Sequence, residues 1–184
     1  MEEEDKRVIR DESIKLLRDV GCKARVIEHC VAVSELALEF ARRYYFGRVD
    51  EELIFRGALL HDIGRSCTHG IDHGFVGGEV AKALKLDERV VRIIQRHVGA
   101  GITAEEAKEQ GLPQDVDFMP RTMEEKIVTH ADNLIDGIRR TSIEHEIAHL
   151  KAKLGENHPS ITRIATLHKE ITGLNVPVKV NTKI

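Results

Sequence analysis

The chain contains no tryptophan, and its two tyrosines and five phenylalanines bring the aromatic content to only 4%. Sheet proteins depend on aromatic and β-branched strands, so this scarcity argues against a sandwich or a barrel. Proline is also rare, with four residues, which favours long uninterrupted helices. No apolar run approaches the roughly 20 residues that a membrane-spanning helix needs, so we expect no membrane association.

Cysteine usage and charge exclude further classes of protein. The three cysteines, Cys22, Cys30 and Cys67, form no CxxC pair. Their odd number, together with a charged N-terminal segment MEEEDKR, predicts reduced thiols and a cytoplasmic location. The formal net charge of −3 provides no strong positive field, so nucleic acid is not an expected partner. We find no repeat or linker, and the length of 184 residues predicts a single domain spanning 1–184.

Apolar residues recur at helical spacing along most of the chain, which predicts an all-α fold. Asp50, Asp72 and Asp87 are candidate helix starts, and Thr103 and Thr122 each begin a sequence with the spacing of a capping box. Helices are predicted at about 4–20 and 24–45, from after Asp50 to the turn at 61–64, from 72, from 87, from 103 to Gly111, from 122 to about Arg140, at 142–154 and at 160–172. The core would comprise about 24–140, followed by C-terminal helices at about 142–172 and a short tail, NVPVKVNTKI, that is either a strand or loose.

Several polar side chains lie where the helical pattern calls for apolar ones: His29, His61, Asp62, His97 and Asp132. A lone inward histidine is usually a hydrogen-bonded core residue. Three imidazoles and two carboxylates from four helices are harder to satisfy by hydrogen bonds alone. A divalent metal would neutralise the carboxylates and use the imidazole lone pairs, so the pattern favours a metal site.

The same residues resemble a known family. His29, His61-Asp62 and Asp132 are similar to the H…HD…D signature of HD-domain metal-dependent phosphohydrolases, and residues 61–64 read HDIG, which names a subgroup. The segments HDIGR, DHGFVGGEVAKAL, RHVGAG and EKIVTHADNLIDG most resemble the diadenosine-tetraphosphate hydrolase branch and its archaeal relatives. The resemblance implies an HD-domain helical bundle.

The resemblance also implies a ligand set for one or two ions. One ion would be held by His29, His61, Asp62 and Asp132. A second would be held by His73 and His97, with Asp62 bridging the two. For His73 a solvated position at the start of a helix is an open alternative. Mixed nitrogen and oxygen ligands favour Fe, Mn, Ni or Zn over Mg.

The chemistry implied is hydrolysis of a phosphoester or phosphoanhydride in a small nucleotide-like substrate by a metal-activated water. Asp62 and Arg65 are the candidate catalytic residues, and Arg65 and Arg139 are candidates for binding the substrate phosphate. Both arginines could instead be solvated. Substrates in the family include dinucleoside polyphosphates, nucleotides and cyclic phosphodiesters. The alternative is a catalytically silent module that binds a nucleotide and signals. The C-terminal helices either complete the bundle or pair with a second subunit in a homodimer.

Two further segments call for interpretation. Residues 145–149 read HEIAH, which fits the HExxH motif of metalloproteases. Charged helices produce this pentapeptide by chance, and no protease scaffold surrounds it, so we interpret His145 and His149 as surface residues. Residues 112–121, LPQDVDFMPR, form either an ordinary connection or the rim of the site.

Overall fold

Nine α-helices and one two-stranded hairpin form the regular structure of residues 1–176, the part of the chain that the computed structural model describes. The predicted all-α fold is confirmed. The helices are α1 (Glu3–Asp19), α2 (Ala24–Tyr45), α3 (Glu51–Leu60), α4 (His73–Ala83), α5 (Glu88–Arg96), α6 (Ala104–Glu109), α7 (Met123–Asp132), α8 (Ile143–Leu154) and α9 (Pro159–Thr172). A 3-10 turn (Ile63–Ser66) follows α3, and the strands are β1 (Ile135–Asp136) and β2 (Arg139–Arg140). The tail prediction falls, from residue 177 onward, outside the described residues.

Helix α2 is central to the bundle and packs against α3 and α7. Its inward face is formed by Cys30, Val33, Ala37 and Ala41, all fully buried and spaced three or four residues apart. Burying a large apolar side chain stabilises the fold by about 1.5–3 kcal/mol, and this stripe anchors the helix that carries His29.

The C-terminal helices pack on the same core. Ile147 of α8 and Ile161, Ile164 and Leu167 of α9 are buried in the main apolar cluster, which also includes Leu17 of α1. These helices therefore complete the bundle within one chain.

Helix starts follow the capping signals in the sequence. Asp50 accepts a hydrogen bond from the Leu53 amide at 3.0 Å. Both capping boxes form, with Thr103 paired to Glu106 and Thr122 paired to Glu125. Each cap satisfies amide groups that would otherwise lack a partner in the first turn.

The predicted extension of α7 to about Arg140 is wrong. The helix ends at Asp132, and the chain then forms the β1–β2 hairpin, in which Ile135 pairs with Arg140. Gly137 begins the two-residue turn with a φ of +61°, a conformation that glycine adopts without strain. Glycine at the first position of a two-residue turn is a hairpin signal, but the apolar spacing of Leu134 and Ile135 obscured it.

Residues 112–121 form a connection with its own small core. Leu112 and Phe118 pack with Ile102 and Ala107 in a separate apolar cluster. None of these connecting residues lines the cleft described below, so the structure agrees with the ordinary connection. Among residues 1–176, no helix has the length and apolar character needed to cross a membrane.

Candidate metal centre

Four histidine rings are each fixed by a hydrogen bond to a backbone carbonyl. Each donates its Nδ1 hydrogen to a backbone carbonyl oxygen at 2.7–2.8 Å: His29 to Gly137, His61 to Ala58, His73 to Gly70 and His97 to Ile94. A carbonyl oxygen only accepts hydrogen bonds, so Nδ1 must carry the hydrogen in each ring. The neutral ring then has its lone pair on Nε2, as in histidines that bind metals.

Two of these Nε2 atoms converge on Asp132 at the end of α7. Oδ1 of Asp132 lies 3.0 Å from Nε2 of His29 and 3.3 Å from Nε2 of His61. His29 comes from the second turn of α2, and His61 directly follows α3. Three separate helices therefore bring these groups together.

The Nε2 atoms of the other two histidines converge on Asp62. Oδ1 of Asp62 lies 3.3 Å from Nε2 of His73 and 3.6 Å from Nε2 of His97. Oδ2 of the same carboxylate is 4.0 Å from Nε2 of His61. Asp62 thus lies between the two groups of histidines. His73 is only 5% exposed, so the solvated alternative does not describe it.

A tight approach of backbone to backbone makes this geometry possible. An added Cβ at Gly64 would clash with the carbonyl oxygen of His73 and lie 2.7 Å from the amide nitrogen of Gly77. Only glycine lets the 3-10 turn contact α4 this closely. The contact places Asp62, just before the turn, beside His73 at the start of α4.

The arrangement fits a divalent cation. His61 is fully buried, yet its Nε2 has no hydrogen-bond partner within residues 1–176. An orphaned buried nitrogen costs free energy unless a further group binds it. Three overlapping sets of possible ligands each have their donor atoms within 4.8 Å of one another: His29–His61–Asp62, His61–His97–Asp132 and Asp62–His73–His97. This cluster could therefore hold a metal ion through nitrogen and oxygen ligands.

Protonation also suits metal binding. Burial, reinforced by the nearby His97, lowers the pKa of His73 from 6.5 to about 4, so its ring is neutral at pH 7. Burial alone would raise the pKa of Asp62 and of Asp132, but the adjacent histidines, His61 first, outweigh it and lower both. The pKa of His61 is raised in turn, so that without an ion a proton takes the place on Nε2 that a cation would occupy. The carboxylates are therefore ionised.

The two candidate arginines lie in different places. Arg65 donates from Nε to Asp62 at 3.1 Å and from Nη1 to the carbonyl of His69 at 3.0 Å, and it lines a cleft beside the metal centre. Arg139 lies exposed on β2 and lines none of the cavities around the centre. The structure does not bring Arg139 to the site, because α7 ends before it and the hairpin turns the chain away.

The cleft beside the centre has a volume of about 630 Å³. His73, Asp132 and Arg65 line it together with residues of α8 and α9. Sequence reasoning missed several of its lining residues: Asn133, Glu146, His149, Lys153 and Arg163. For Glu146, His149 and Lys153 the only sequence signal was the polar face of α8, at spacings of three and four residues. Asn133 directly follows α7 and Arg163 lies on α9.

Glu146 belongs to the HEIAH segment, but this segment does not form a protease site. His145 and His149 are exposed, and neither belongs to a group of possible metal ligands among residues 1–176. Glu146 is half-buried and has no hydrogen-bond or ion-pair partner in that range. Burial and the charges of Asp132 and Asp136, against the opposing charge of Lys153, raise its pKa to about 7.

Comparisons with known proteins agree with this geometry. A family model described as HD domain matches residues 26–136. An uncharacterised protein of Methanocaldococcus jannaschii is 51% identical over 168 residues, covering 89% of this chain and 97% of the relative. A tRNA (cytidine(56)-2'-O)-methyltransferase of Picrophilus torridus is 39% identical over 164 residues, covering 89% of this chain and 46% of the relative. The chain thus spans about half the length of that methyltransferase.

A solved structure shares the fold. It is the HD domain of the phosphodiesterase PgpH of L. monocytogenes in complex with cyclic-di-AMP. The TM-score is 0.53 at 18% sequence identity, and the match covers 89% of this chain and 99% of the other.

Proposed function

The chain belongs to the HD-domain family, and from this premise we propose that it is a metal-dependent phosphohydrolase. Its substrate would be a small nucleotide-like molecule in which a phosphoester or phosphoanhydride bond is cleaved. The single observation that carries the proposal is the convergence of four Nε2 atoms on two carboxylates. Apolar residues would pack this space at a lower cost in free energy than six polar groups, so packing does not explain their presence.

The distances support a ligand assignment. His29, His61, Asp62 and Asp132 would hold one ion, and His73 and His97 would hold a second, with Asp62 shared. The ligand types suit Fe, Mn, Ni or Zn. Divalent ions in such sites supply a hydroxide near neutral pH and neutralise charge on a phosphoryl group.

The protein's own groups prepare the site for this chemistry. The carbonyl bonds to Nδ1 hold each imidazole in place, which lowers the cost of ordering the ligands on binding. Asp62 lies between the two sets of histidines and is ionised. Arg65 lies against Asp62 at the cleft, where its guanidinium can bind a phosphate oxygen of the substrate.

The cleft supports a small substrate. Its volume of about 630 Å³ is within the usual range for sites of small molecules and cofactors. Dinucleoside polyphosphates, nucleotides and cyclic phosphodiesters are all compatible with it. The cyclic dinucleotide bound by the PgpH domain is one member of this group.

The test is a turnover assay on metal-loaded protein. Purified protein is reconstituted separately with Mn, Fe, Ni and Zn and incubated with a panel of these three substrate classes, and products are separated by chromatography. We expect phosphate or nucleotide release with at least one pair, and loss of it in Asp62→Asn but not in Asp115→Asn, whose carboxylate is exposed and lines neither cavity beside the centre. Binding of a nucleotide without turnover under every metal would favour the catalytically silent module instead.

A second candidate substrate is RNA. The observation that favours it is the match of 89% of this chain to part of a protein named as a tRNA methyltransferase. The net charge of −3 argues against it, because phosphate backbones are bound mainly through positive charge. Incubation of the metal-loaded protein with end-labelled RNA and DNA of one sequence separates the two candidates: cleavage or end-trimming of RNA alone would support this one.

A further inference from the structure

One face of α8 forms a wall of the cleft. Glu146, His149, Leu150, Lys153 and Leu154 all line it, at the spacings of three, four, seven and eight residues expected of one helical face. This wall lies outside residues 26–136, the part that matches the HD family model. The metal ligands thus all lie within the matched segment, whereas this wall lies beyond it.

Two residues of this wall lie where two compartments meet. A smaller recess of about 220 Å³ shares Asp132, Asn133, Glu146 and His149 with the main cleft. Because Asp132 is one of the candidate metal ligands, Glu146 and His149 lie close to the place where a substrate phosphate would be bound. In a nucleotide, the group bonded directly to the phosphate is the sugar.

The main cleft and the recess differ in the charge of the residues that line them. The main cleft contains three cations, Arg65, Lys153 and Arg163, which match its three carboxylates, Glu106, Asp132 and Glu146. Lys153 has no ion-pair partner within residues 1–176. The residues that line the recess include three carboxylates and no lysine or arginine. Uncharged hydrogen-bond donors such as hydroxyls therefore suit the recess, whereas the cations of the main cleft can bind a phosphate.

We propose that Glu146 binds the sugar hydroxyls of the substrate nucleoside, with His149 beside it, and so makes the enzyme selective for ribonucleotides. This inference rests on the proposed function. A half-buried carboxylate without a partner is costly in a folded protein, and two adjacent hydroxyl donors would satisfy both of its oxygens. Lys153, two turns along the same face, binds phosphate oxygens in the main cleft.

The experiment compares ribonucleotides with their 2',3'-dideoxy counterparts, which lack both hydroxyls. For wild type we expect kcat/KM to favour the ribonucleotide by about tenfold to a hundredfold, the usual effect of hydrogen bonds to a charged group. In Glu146→Ala and Glu146→Gln this preference should fall below about threefold. The loss should fall on the ribonucleotide and mainly on KM, with dideoxynucleotide turnover within about twofold of wild type. Glu144→Gln is the matched control, because Glu144 is exposed on the same helix and lines neither compartment.

Equilibrium binding of the same ligand pairs separates this inference from the proposed function. If Glu146→Ala lowers the ribonucleotide preference in binding while no variant or wild type shows turnover, the function fails and the sugar contact stands. If turnover occurs but wild type has no preference, or Glu146→Ala keeps it, the sugar contact is overturned. A preference that is also lost in Glu144→Gln would overturn it as well, since the effect would then be general to α8.

Discussion

Nε2 of His73 lies 3.0 Å from Nε2 of His97, although both rings donate their Nδ1 hydrogens to backbone carbonyls. Two neutral rings in this arrangement direct lone pairs at each other. Such lone pairs repel unless a proton or a metal ion lies between them or beside both. The pair is held in this position from α4 and the end of α5, so the backbone maintains an arrangement that favours a cation.

We expect His73→Ala to lower the metal content of the purified protein by about one equivalent per chain. His73 and His97 share Asp62 Oδ1 as their nearest carboxylate oxygen, and removing one imidazole leaves too few ligands for an ion on that side. Elemental analysis of protein prepared without chelator measures the change. His69→Ala is the control, because His69 belongs to none of the groups of possible metal ligands among residues 1–176. Equal metal content in wild type and His73→Ala would contradict the two-ion assignment.

Removal of the metal should lower the melting temperature. Without a cation, the orphaned Nε2 of His61 remains buried and unsatisfied, and the Nε2 atoms of His73 and His97 stay 3.0 Å apart. A ligand that binds the folded state alone stabilises it by mass action, so chelation should lower Tm and reloading should restore it. Differential scanning calorimetry before and after dialysis against chelator measures this. The Tm of Asp62→Asn should respond much less to the chelator, and an equal response would show that the metal acts elsewhere.

Acid should destabilise the fold through a histidine outside the ligand set. His130 is fully buried against the rings of Phe40 and His168, and burial, aided by the charge of His168, lowers its pKa from 6.5 to about 3. The unfolded chain therefore binds one more proton between these values. Stability from this group is complete above about pH 6.5 and is lost as the pH falls, by at most about 1.4 kcal/mol per pH unit.

The test of this prediction is the pH dependence of urea unfolding between pH 4 and 7. His130→Leu should reduce the proton uptake on unfolding by about one. His145→Ala should not change it, since His145 is exposed. An unchanged slope in His130→Leu would show that His130 is protonated in the folded state.

Gly64→Ala should destabilise the protein and disturb the metal centre together. The new Cβ would overlap the carbonyl oxygen of His73. The Cβ position is set by the backbone of the turn and the oxygen belongs to the backbone of α4, so neither atom can rotate away. Overpacking of this kind costs about 1–3 kcal/mol. Denaturant unfolding and metal analysis on the same sample measure both effects. Cys67→Ala, a change at an exposed residue just after the same turn, is the control; a Gly64→Ala protein with normal stability and metal content would show that α4 can move freely.

The sequence by itself determined where helices begin and which polar side chains lie on their apolar faces. Caps such as Asp50 and Thr103 act through hydrogen bonds within three residues, so helix starts were predictable from local pattern. Inward polar residues on apolar faces, such as His29 and Asp132, were equally visible, because helical periodicity relates them to neighbours one turn away. The end of α7 was missed because the spacing of Leu134 and Ile135 fits a helix until Gly137 turns the chain.

Only the tertiary structure decided which polar groups share one space. The burial of His73 depends on the contact between Gly64 and α4, and the distance between His61 and Asp132 depends on how α3 and α7 pack across α2. Glu146 and His149 face the metal centre because α8 packs back on the bundle through Ile147, more than 80 residues after His61. Such pairings arise from burial of apolar area between distant elements, a non-directional force that leaves no local mark in the sequence.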